Sequence, residues 1–326
     1  MILLSLVITS VFGQKCKELE NSFPEYACTK DSAIGLGHVG EVFLMNDGKK
    51  NIVIKKQRNG TRASREIKAL THLDEKGVDC VVKLIGTKET DHSIFTELEF
   101  LPGGTLTELI SNRLPQSKVL TTFCELAKCV NEVHKAGWVH ADLKPLNIMF
   151  TDSKKLKLID FELSIPKGSF QVPRGTPYYA DPELRLDQTS EKSNPILFEE
   201  KRDIWSLGAI LGEMVTGKKL FDFESRNSNR SEYTLEKGTW KVFVYLLSGI
   251  LKRESLKRKS LPWVLNICQL EQSMTNHLVL EKDINLYTTD KKPILKSYDL
   301  IWLSLIVVIG FFIAGISIFI STGTMN

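Results

Sequence analysis

One stretch of the chain, residues 140–161, constrains its fold and chemistry more than any other. It reads HADLKPLNIMF, a short polar turn, and then LKLIDF, so that polar side chains alternate with apolar runs that can hold them in place. Phosphoryl transfer needs a carboxylate that orients the attacking hydroxyl, a cation for the phosphate and oxygen ligands for magnesium. The residues in this stretch that could supply these groups are Asp142, Lys144, Asn147 and Asp160.

A glycine-rich segment near the N-terminus points to the same chemistry. Residues 34–44 read IGLGHVGEVFL, two predicted strand segments around Gly35, Gly37 and Gly40, with Val42 shortly after. Because glycines lack side chains, backbone N–H groups there can approach phosphate oxygens closely, while Val42 can cover a base. A dinucleotide-binding turn is the alternative, but no helical pattern opens at Gly40.

The next two segments supply a cation and a carboxylate. NIVIKK predicts a short strand that carries Lys55, and REIKAL begins a helical pattern with Glu66 on the face that continues through Ala69 and Leu70. A lysine held by a helical glutamate could grip the α- and β-phosphates of a nucleotide. For Lys55 alone, a solvated strand end would be the ordinary explanation.

In this order, the motifs resemble those of the eukaryotic protein kinase family over about residues 30–270. They are G-x-G-x-x-G-x-V, the strand lysine, H-x-D-x-K-x-x-N followed by D-F, the segment GTPYYADPEL and the helix KRDIWSLGAILGEMVTG. The resemblance implies an α+β, two-lobed fold with a small, mostly β N-lobe and a larger helical C-lobe. It also implies ATP and Mg²⁺ as cofactors and transfer of the γ-phosphoryl group to a hydroxyl.

The resemblance gives each matching residue a role. Lys55 would hold the α- and β-phosphates and Glu66 would position it, while Asp142 would orient the acceptor hydroxyl and Lys144 would neutralise the γ-phosphate. The residues that would bind Mg²⁺ are Asn147 and Asp160. Those that would cover the nucleotide are Gly35, Gly37, Gly40 and Val42.

Further roles follow for the segment between the lobes and for the C-lobe. Leu98 would be the gatekeeper, and the backbone from Glu99 to Leu101 would meet adenine. Asp203, which alone would suggest a helix N-cap, would also brace the backbone of the catalytic loop. Thr176 in the GTP triplet, with the lysine two residues after the catalytic aspartate, is similar to serine/threonine kinases rather than tyrosine kinases.

Three positions depart from the family pattern. Ala141 replaces the arginine of H-R-D, so we expect activity not to depend on phosphorylation of the activation loop. Glu162 replaces the glycine of D-F-G, which adds a carboxylate near the metal and stiffens the turn. Asp181 stands where A-P-E has alanine. None of these changes removes a group that performs chemistry.

Two alternatives to a protein kinase stay open. Glu162 favours a pseudokinase, a membrane-bound module that binds ATP without turnover, whereas Lys55, Asp142, Asn147 and Asp160 favour an enzyme. The second alternative is a glycan kinase of the secretory pathway similar to protein O-mannose kinase. A protein kinase would take a protein hydroxyl as its substrate, and a glycan kinase would take a glycan hydroxyl. With Lys+Arg 43, Asp+Glu 39 and no basic tract, the chain predicts no nucleic-acid partner.

Both ends of the chain are apolar. Residues 300–321 carry no charge and would span about 33 Å as a helix, enough to cross a membrane. Residues 1–13 are typical of a signal peptide, which would make the kinase domain luminal or extracellular. Three lysines just before the apolar segment, Lys291, Lys292 and Lys296, favour the alternative of a tail-anchored, cytosolic domain.

Cysteines and glycosylation triplets bear on the same question. A bridge between Cys16 and Cys28 fits a secreted domain, while bridged and unpaired states are both open for the remaining cysteines, Cys80, Cys124, Cys129 and Cys268. Asn59 and Asn229 would accept glycans if the domain is luminal. The expected segments are a signal peptide 1–13, a cysteine-containing extension 14–29, the N-lobe 30–101, the C-lobe 102–285, a linker 286–299, the transmembrane helix 300–321 and a tail 322–326.

Overall fold

The computed structural model describes residues 19–36, 40–46, 48–171, 175–184, 196–197, 199–221, 235 and 239–274. The predicted signal peptide, the linker, the apolar segment 300–321, Cys16 and Asn229 lie outside these residues. Within the described ranges, no helix is both long and apolar enough to cross a membrane.

The N-terminal part is built on one antiparallel sheet of five strands in the order β1-β2-β3-β5-β4. A single long helix, α1, follows β3. The elements are β1 (Ala27–Leu36), β2 (Gly40–Asn46), β3 (Asn51–Arg58), α1 (Thr61–Glu75), β4 (Leu84–Glu89) and β5 (Ser93–Glu99). Burial alternates along β3 from Asn51 to Lys55, as expected for a strand whose successive side chains face opposite sides of a sheet.

The C-terminal part is mostly helical. Its helices are α2 (Leu106–Ser111), α3 (Gln116–Lys135), α4 (Glu200–Thr216), α5 (Lys241–Ile250) and α6 (Leu261–Met274). Short strands connect them: β6 (Trp138–Val139), β7 (Ile148–Phe150), β8 (Leu156–Leu158), β9 (Ile165–Pro166), β10 (Phe170–Gln171) and β11 (Ile196–Leu197). A β-rich part followed by a helical part confirms the predicted α+β, two-lobed arrangement, and β7 and β8 pair as the hairpin inside the 140–161 stretch.

Residues from the predicted N-terminal extension complete the core of the sheet. A helical turn at residues 19–22 and the segment after it cover the face of the sheet that carries Phe43, Ile54 and Phe95. Phe23 meets Phe95 edge to face, with 5.6 Å between ring centroids. Leu19 and Phe23 are buried, so this segment shares the hydrophobic core of the N-terminal part.

Two helices begin earlier than their patterns predicted. Apolar residues recur at helical spacing only over 121–135, but α3 begins at Gln116; the apolar run of the later helix covers only 204–214, but α4 begins at Glu200. The N-cap explanation of Asp203 is therefore wrong, since this residue lies inside the first turn of α4 and the N-cap position is Glu199.

A buried ion pair explains one departure from the family pattern. The guanidinium of Arg258 donates to both carboxylate oxygens of Asp181, at 2.6 and 2.8 Å, and both side chains are fully buried. Nearby, the backbone N–H of Ser255 donates to Glu183 at 2.8 Å. A bidentate pair of this kind is strong, and breaking it would leave a buried charge without a partner. Asp181 therefore ties its loop to the segment before α6.

Two disulfides decide the question left open by the cysteines. Cys80, which follows α1, is bonded to Cys129 on α3, and Cys124 on the same helix is bonded to Cys268 on α6. The explanation of these four residues as unpaired core cysteines is therefore wrong. Helix α3 is linked covalently on one side to the segment after α1 and on the other to the last described helix.

We predict that both bridges stabilise the fold. Each closes a long loop, of 49 and 144 residues in sequence separation, and loops of this size are worth about 2–4 kcal/mol of unfolding free energy. The double variant Cys80→Ser/Cys129→Ser should lower the denaturant midpoint accordingly. Alkylation in denaturant without reductant should label none of these four wild-type cysteines, and an unchanged midpoint together with free thiols would contradict the bridge.

Candidate active site

A buried lysine joins three elements around the cleft. Lys55 on β3 places its Nζ 2.8 Å from Glu66 Oε2 on α1 and 2.9 Å from Asp160 Oδ1, two residues beyond β8. The side chain of Lys55 is only 12% exposed. Burial lowers the pKa of Lys55, but the two carboxylates outweigh burial and raise it above its ordinary value. Burial likewise opposes ionisation of Asp160, yet Lys55 holds the pKa of that carboxyl below its usual range.

The same glutamate also contacts the backbone of the segment that follows Asp160. Oε1 of Glu66 accepts a hydrogen bond from the N–H of Phe161 at 3.3 Å. Phe161 is fully buried against His140, with 4.7 Å between ring centroids, and His140 Nε2 lies 3.1 Å from the carbonyl of Ile159. His140 was given no role by sequence reasoning. Its side chain links the catalytic loop to the strand that delivers Asp160.

The catalytic loop presents Asp142 with both carboxylate oxygens occupied. Oδ1 accepts from the N–H and from the Oγ1 hydroxyl of Thr176, both at 2.8 Å, and Oδ2 lies 2.6 Å from Lys144 Nζ. Lys144 Nζ also donates to Thr176 Oγ1 at 3.1 Å. The structure thus brings Asp142 and Lys144 together as predicted and adds Thr176, from 34 residues downstream, as the group that orients the carboxylate.

The buried carboxylate of Asp203 holds the backbone of the loop at His140 and Ala141. Asp203 accepts hydrogen bonds from the N–H groups of His140 at 2.8 Å and Ala141 at 2.9 Å, and it lies 2.8 Å from His134 Nε2. Burial raises the pKa of Asp203, but hydrogen bonding to His134 and the proximity of His140 bring it below its ordinary value. Ala141 takes a left-handed φ of 68°, a conformation that costs about 1–3 kcal/mol and persists only where the surroundings enforce it. Asp203 supplies that enforcement.

The residues predicted to cover the nucleotide are described in part. Gly37 lies outside the described residues, while Gly35 pairs with Val42 across β1 and β2, and Val42 pairs in turn with Lys55 on β3. A Cβ on Gly40 would come within 2.7 Å of the carbonyl oxygen of Lys56, so a larger residue would push the two strands apart. Because Val42 pairs with Lys55, it lies directly beside the lysine that is predicted to hold phosphates.

The residues predicted to meet adenine lie on the connection between the two parts. Leu98 and Leu101 are buried at the end of β5. The N–H of Glu99 donates to the carbonyl of Lys83 at 3.0 Å, and its carboxylate lies 2.8 Å from Lys157 Nζ. The backbone N–H of Glu99 is thus already paired within the protein.

Asn147 and Asp160 fit a magnesium ion shared with phosphates. Asn147 Nδ2 donates to the carbonyl of Asp142 at 2.9 Å, which orients the amide and leaves its oxygen as an acceptor. Asp160 uses Oδ1 for Lys55 and keeps Oδ2 for another cation. Mg²⁺ prefers such oxygen ligands and takes only one or two carboxylates when phosphates complete its shell. Among the described residues, no group of three or more His, Cys, Asp or Glu side chains could hold a metal ion.

Comparison with known proteins agrees with this geometry. Maternal embryonic leucine zipper kinase of Xenopus tropicalis is 31% identical over 222 residues, which cover 63% of this chain and 32% of that protein. Mitogen-activated protein kinase HOG1 of Candida glabrata is 31% identical over 224 residues, 65% of this chain and 46% of the relative. The chain thus spans about a third to a half of the length of these relatives.

The family assignment comes from the match to a family model. The model of the protein kinase domain matches residues 28–270, well over half of the chain. This range contains both parts of the fold and every candidate site residue named above. It confirms the resemblance drawn from the motifs: the chain belongs to the eukaryotic protein kinase family.

Proposed function

We propose that this chain is an ATP-dependent protein kinase that transfers the γ-phosphoryl group to a serine or threonine hydroxyl. The observation that carries the proposal is the assembled set: Lys55 between Glu66 and Asp160, and Asp142 oriented by Thr176 and Lys144. These six residues come from five separate stretches of sequence. A fold that only bound a partner would have no need to bring them together.

The reaction follows from these positions. The ammonium of Lys55 contacts the α- and β-phosphates, and Lys144 faces the γ-phosphate. Asp142 orients the substrate hydroxyl and accepts its proton as the new oxygen–phosphorus bond forms and the bond to the β-phosphate oxygen breaks. Mg²⁺, held by Asn147 and Asp160, would neutralise charge that develops on the β- and γ-phosphate oxygens when it is bound.

The side of the membrane is a separate part of the proposal. We infer that residues 300–321 anchor the protein and that the kinase domain faces the secretory lumen or the cell exterior. The two disulfides support this side, because such bonds persist in oxidising compartments. Asn59 is exposed on the connection between β3 and α1, and its Nδ2 donates hydrogen bonds to the carbonyls of Thr90 and Asp91. A cytosolic, tail-anchored domain is the alternative.

The first prediction concerns nucleotide binding. ATP with Mg²⁺ should stabilise the full chain thermally, by about 2.7 kcal/mol at a hundredfold excess over the dissociation constant. Lys55→Met should abolish most of this shift because it removes the phosphate-binding charge. Lys135→Met, on an exposed lysine paired with Glu132, is the matched control and should retain it. A wild-type protein that shows no shift at saturating ATP would refute the proposal.

The second prediction separates an enzyme from a pseudokinase. Asp142→Asn keeps the size of the side chain but cannot accept the proton, so transfer should fall by about 10²–10⁴-fold while ATP binding changes little. Asp152→Asn, an exposed aspartate in the β7–β8 turn, is the control. Serine/threonine peptides and glycans should be compared as acceptors. Equal transfer by wild type and Asp142→Asn would favour the pseudokinase, and transfer to glycans alone would favour a glycan kinase.

The third prediction concerns topology. If the domain is luminal, the protein expressed in cells should migrate faster after treatment with an N-glycosidase. Asn59→Gln and Thr61→Ala should each remove the same step of the shift, since either change destroys the acceptor triplet. Absence of any glycan, together with digestion of the domain by protease added to sealed microsomes, would place it in the cytosol.

A further inference from the structure

The carboxylate of Glu162 lies among groups from two other elements. This residue follows Phe161 directly, and its side chain is only 11% exposed. Oε2 accepts a hydrogen bond from Gln57 Nε2 at 3.3 Å and lies 3.8 Å from Lys55 Nζ, both on β3. Oε1 lies 3.5 Å from Nη1 of Arg62, in the first turn of α1. The position that the family fills with glycine therefore carries a side chain with three polar neighbours.

These contacts connect the segment after β8 to α1 at two successive turns. Arg62 and Glu66 are four residues apart, so they lie on the same face of the helix. Arg62 pairs with the carboxylate of Glu162, and Glu66 accepts from the N–H of Phe161. The helix that carries Glu66 is thus held by the side chain of one residue and by the backbone of the residue before it.

The surroundings are adapted to a carboxylate at this position. Gln57 is only 3% exposed, and its Nε2 donates to Glu162, while its Oε1 has no partner among the described residues. Without Glu162 the whole amide of Gln57 would be buried and unpaired, which costs about 1–3 kcal/mol. Glu162 itself is not among the residues with positive φ, whereas Asp160 is, at 65°. No conformational demand therefore requires glycine at 162.

The charges around Lys55 explain why Arg62 matters at this site. Three carboxylates, from Glu66, Asp160 and Glu162, surround the single ammonium of Lys55. Burial raises the pKa of Glu162, and the nearby charge of Asp160 raises it further. Arg62 supplies the second cation, so that the third carboxylate attracts α1 instead of repelling it.

We propose that Glu162 is a positioning residue that, through Arg62 and Gln57, holds α1 in the place where Glu66 engages Lys55. Its effect on catalysis rests on the proposed kinase function, but its effect on α1 does not. ATP binds the protein in which Lys55 is correctly placed, so the apparent dissociation constant rises as that fraction of the protein falls. Saturating ATP draws the population back. Loss of the contact therefore raises KM for ATP more than it lowers kcat.

The test is a double-mutant cycle on the full-length protein, with two readouts. Glu162→Gln and Arg62→Gln should each speed hydrogen exchange of α1 amides roughly tenfold in the absence of nucleotide, and raise KM for ATP by a similar factor. The double variant should resemble the more affected single variant, because both changes break the same contact. Glu132→Gln, which breaks an exposed ion pair on α3, is the control and should change neither readout.

Other results would overturn the proposal. Unchanged α1 exchange in both single variants would show that Glu162 does not hold the helix, and effects that multiply in the double variant would show that the two residues act separately. Higher activity in Glu162→Gly would mean that the carboxylate of Glu162 inhibits catalysis instead of supporting it. Arg62 is 35% exposed, so Arg62→Gln remains a valid test even if Glu162→Gln does not fold. If wild type transfers no phosphate, the proposed function fails. Faster hydrogen exchange of α1 in the variants would still show that Glu162 holds this helix.

Discussion

The buried ammonium of Lys55 is the interaction on which the rest of the structure depends. Its neighbours come from α1 and from the end of the β7–β8 hairpin, so the charge is compensated only when the N-terminal and C-terminal parts are both in place. Loss of either Glu66 or Asp160 would remove one of the two carboxylates that accept hydrogen bonds from Lys55, and with it one link of this ammonium to α1 or to the hairpin. The disulfide of Cys80 also holds the two parts together, since it ties the segment after α1 to α3.

The catalytic loop meets a second constraint, which is backbone strain. Ala141 is held in a left-handed conformation by Asp203, a carboxylate that reaches it from α4 over 62 residues of sequence. The loop is thereby fixed to α4, and the hydroxyl of Thr176 orients the carboxylate of Asp142. The ion pairs of Lys55 thus place the residues predicted to bind phosphates, and Asp203 places the loop that carries Asp142. Phosphoryl transfer requires both sets of residues to be in place at the same time.

Local pattern predicted the elements and most of the site, but not the long-range partners. Helical periodicity placed Glu66 on the buried face of α1, and motif spacing identified Lys55 and Asp142. The pairing of Asp181 with Arg258 spans 77 residues, and periodicity reports only neighbours within a turn or a strand. Cysteine pairing is ambiguous for the same reason, since four cysteines allow three connectivities. At Glu162 the motif suggested a defect, because its partners Gln57 and Arg62 belong to no motif.

This site is assembled by the chain's own contacts, without an arginine before Asp142 to gather a phosphorylated loop. The most direct test is phosphoryl transfer by full-length protein that has been treated with a phosphatase and never exposed to another kinase. We expect transfer from ATP to serine or threonine at full rate from the first turnover, with no lag. Transfer that begins only after the chain has been phosphorylated, or no transfer at all, would contradict it.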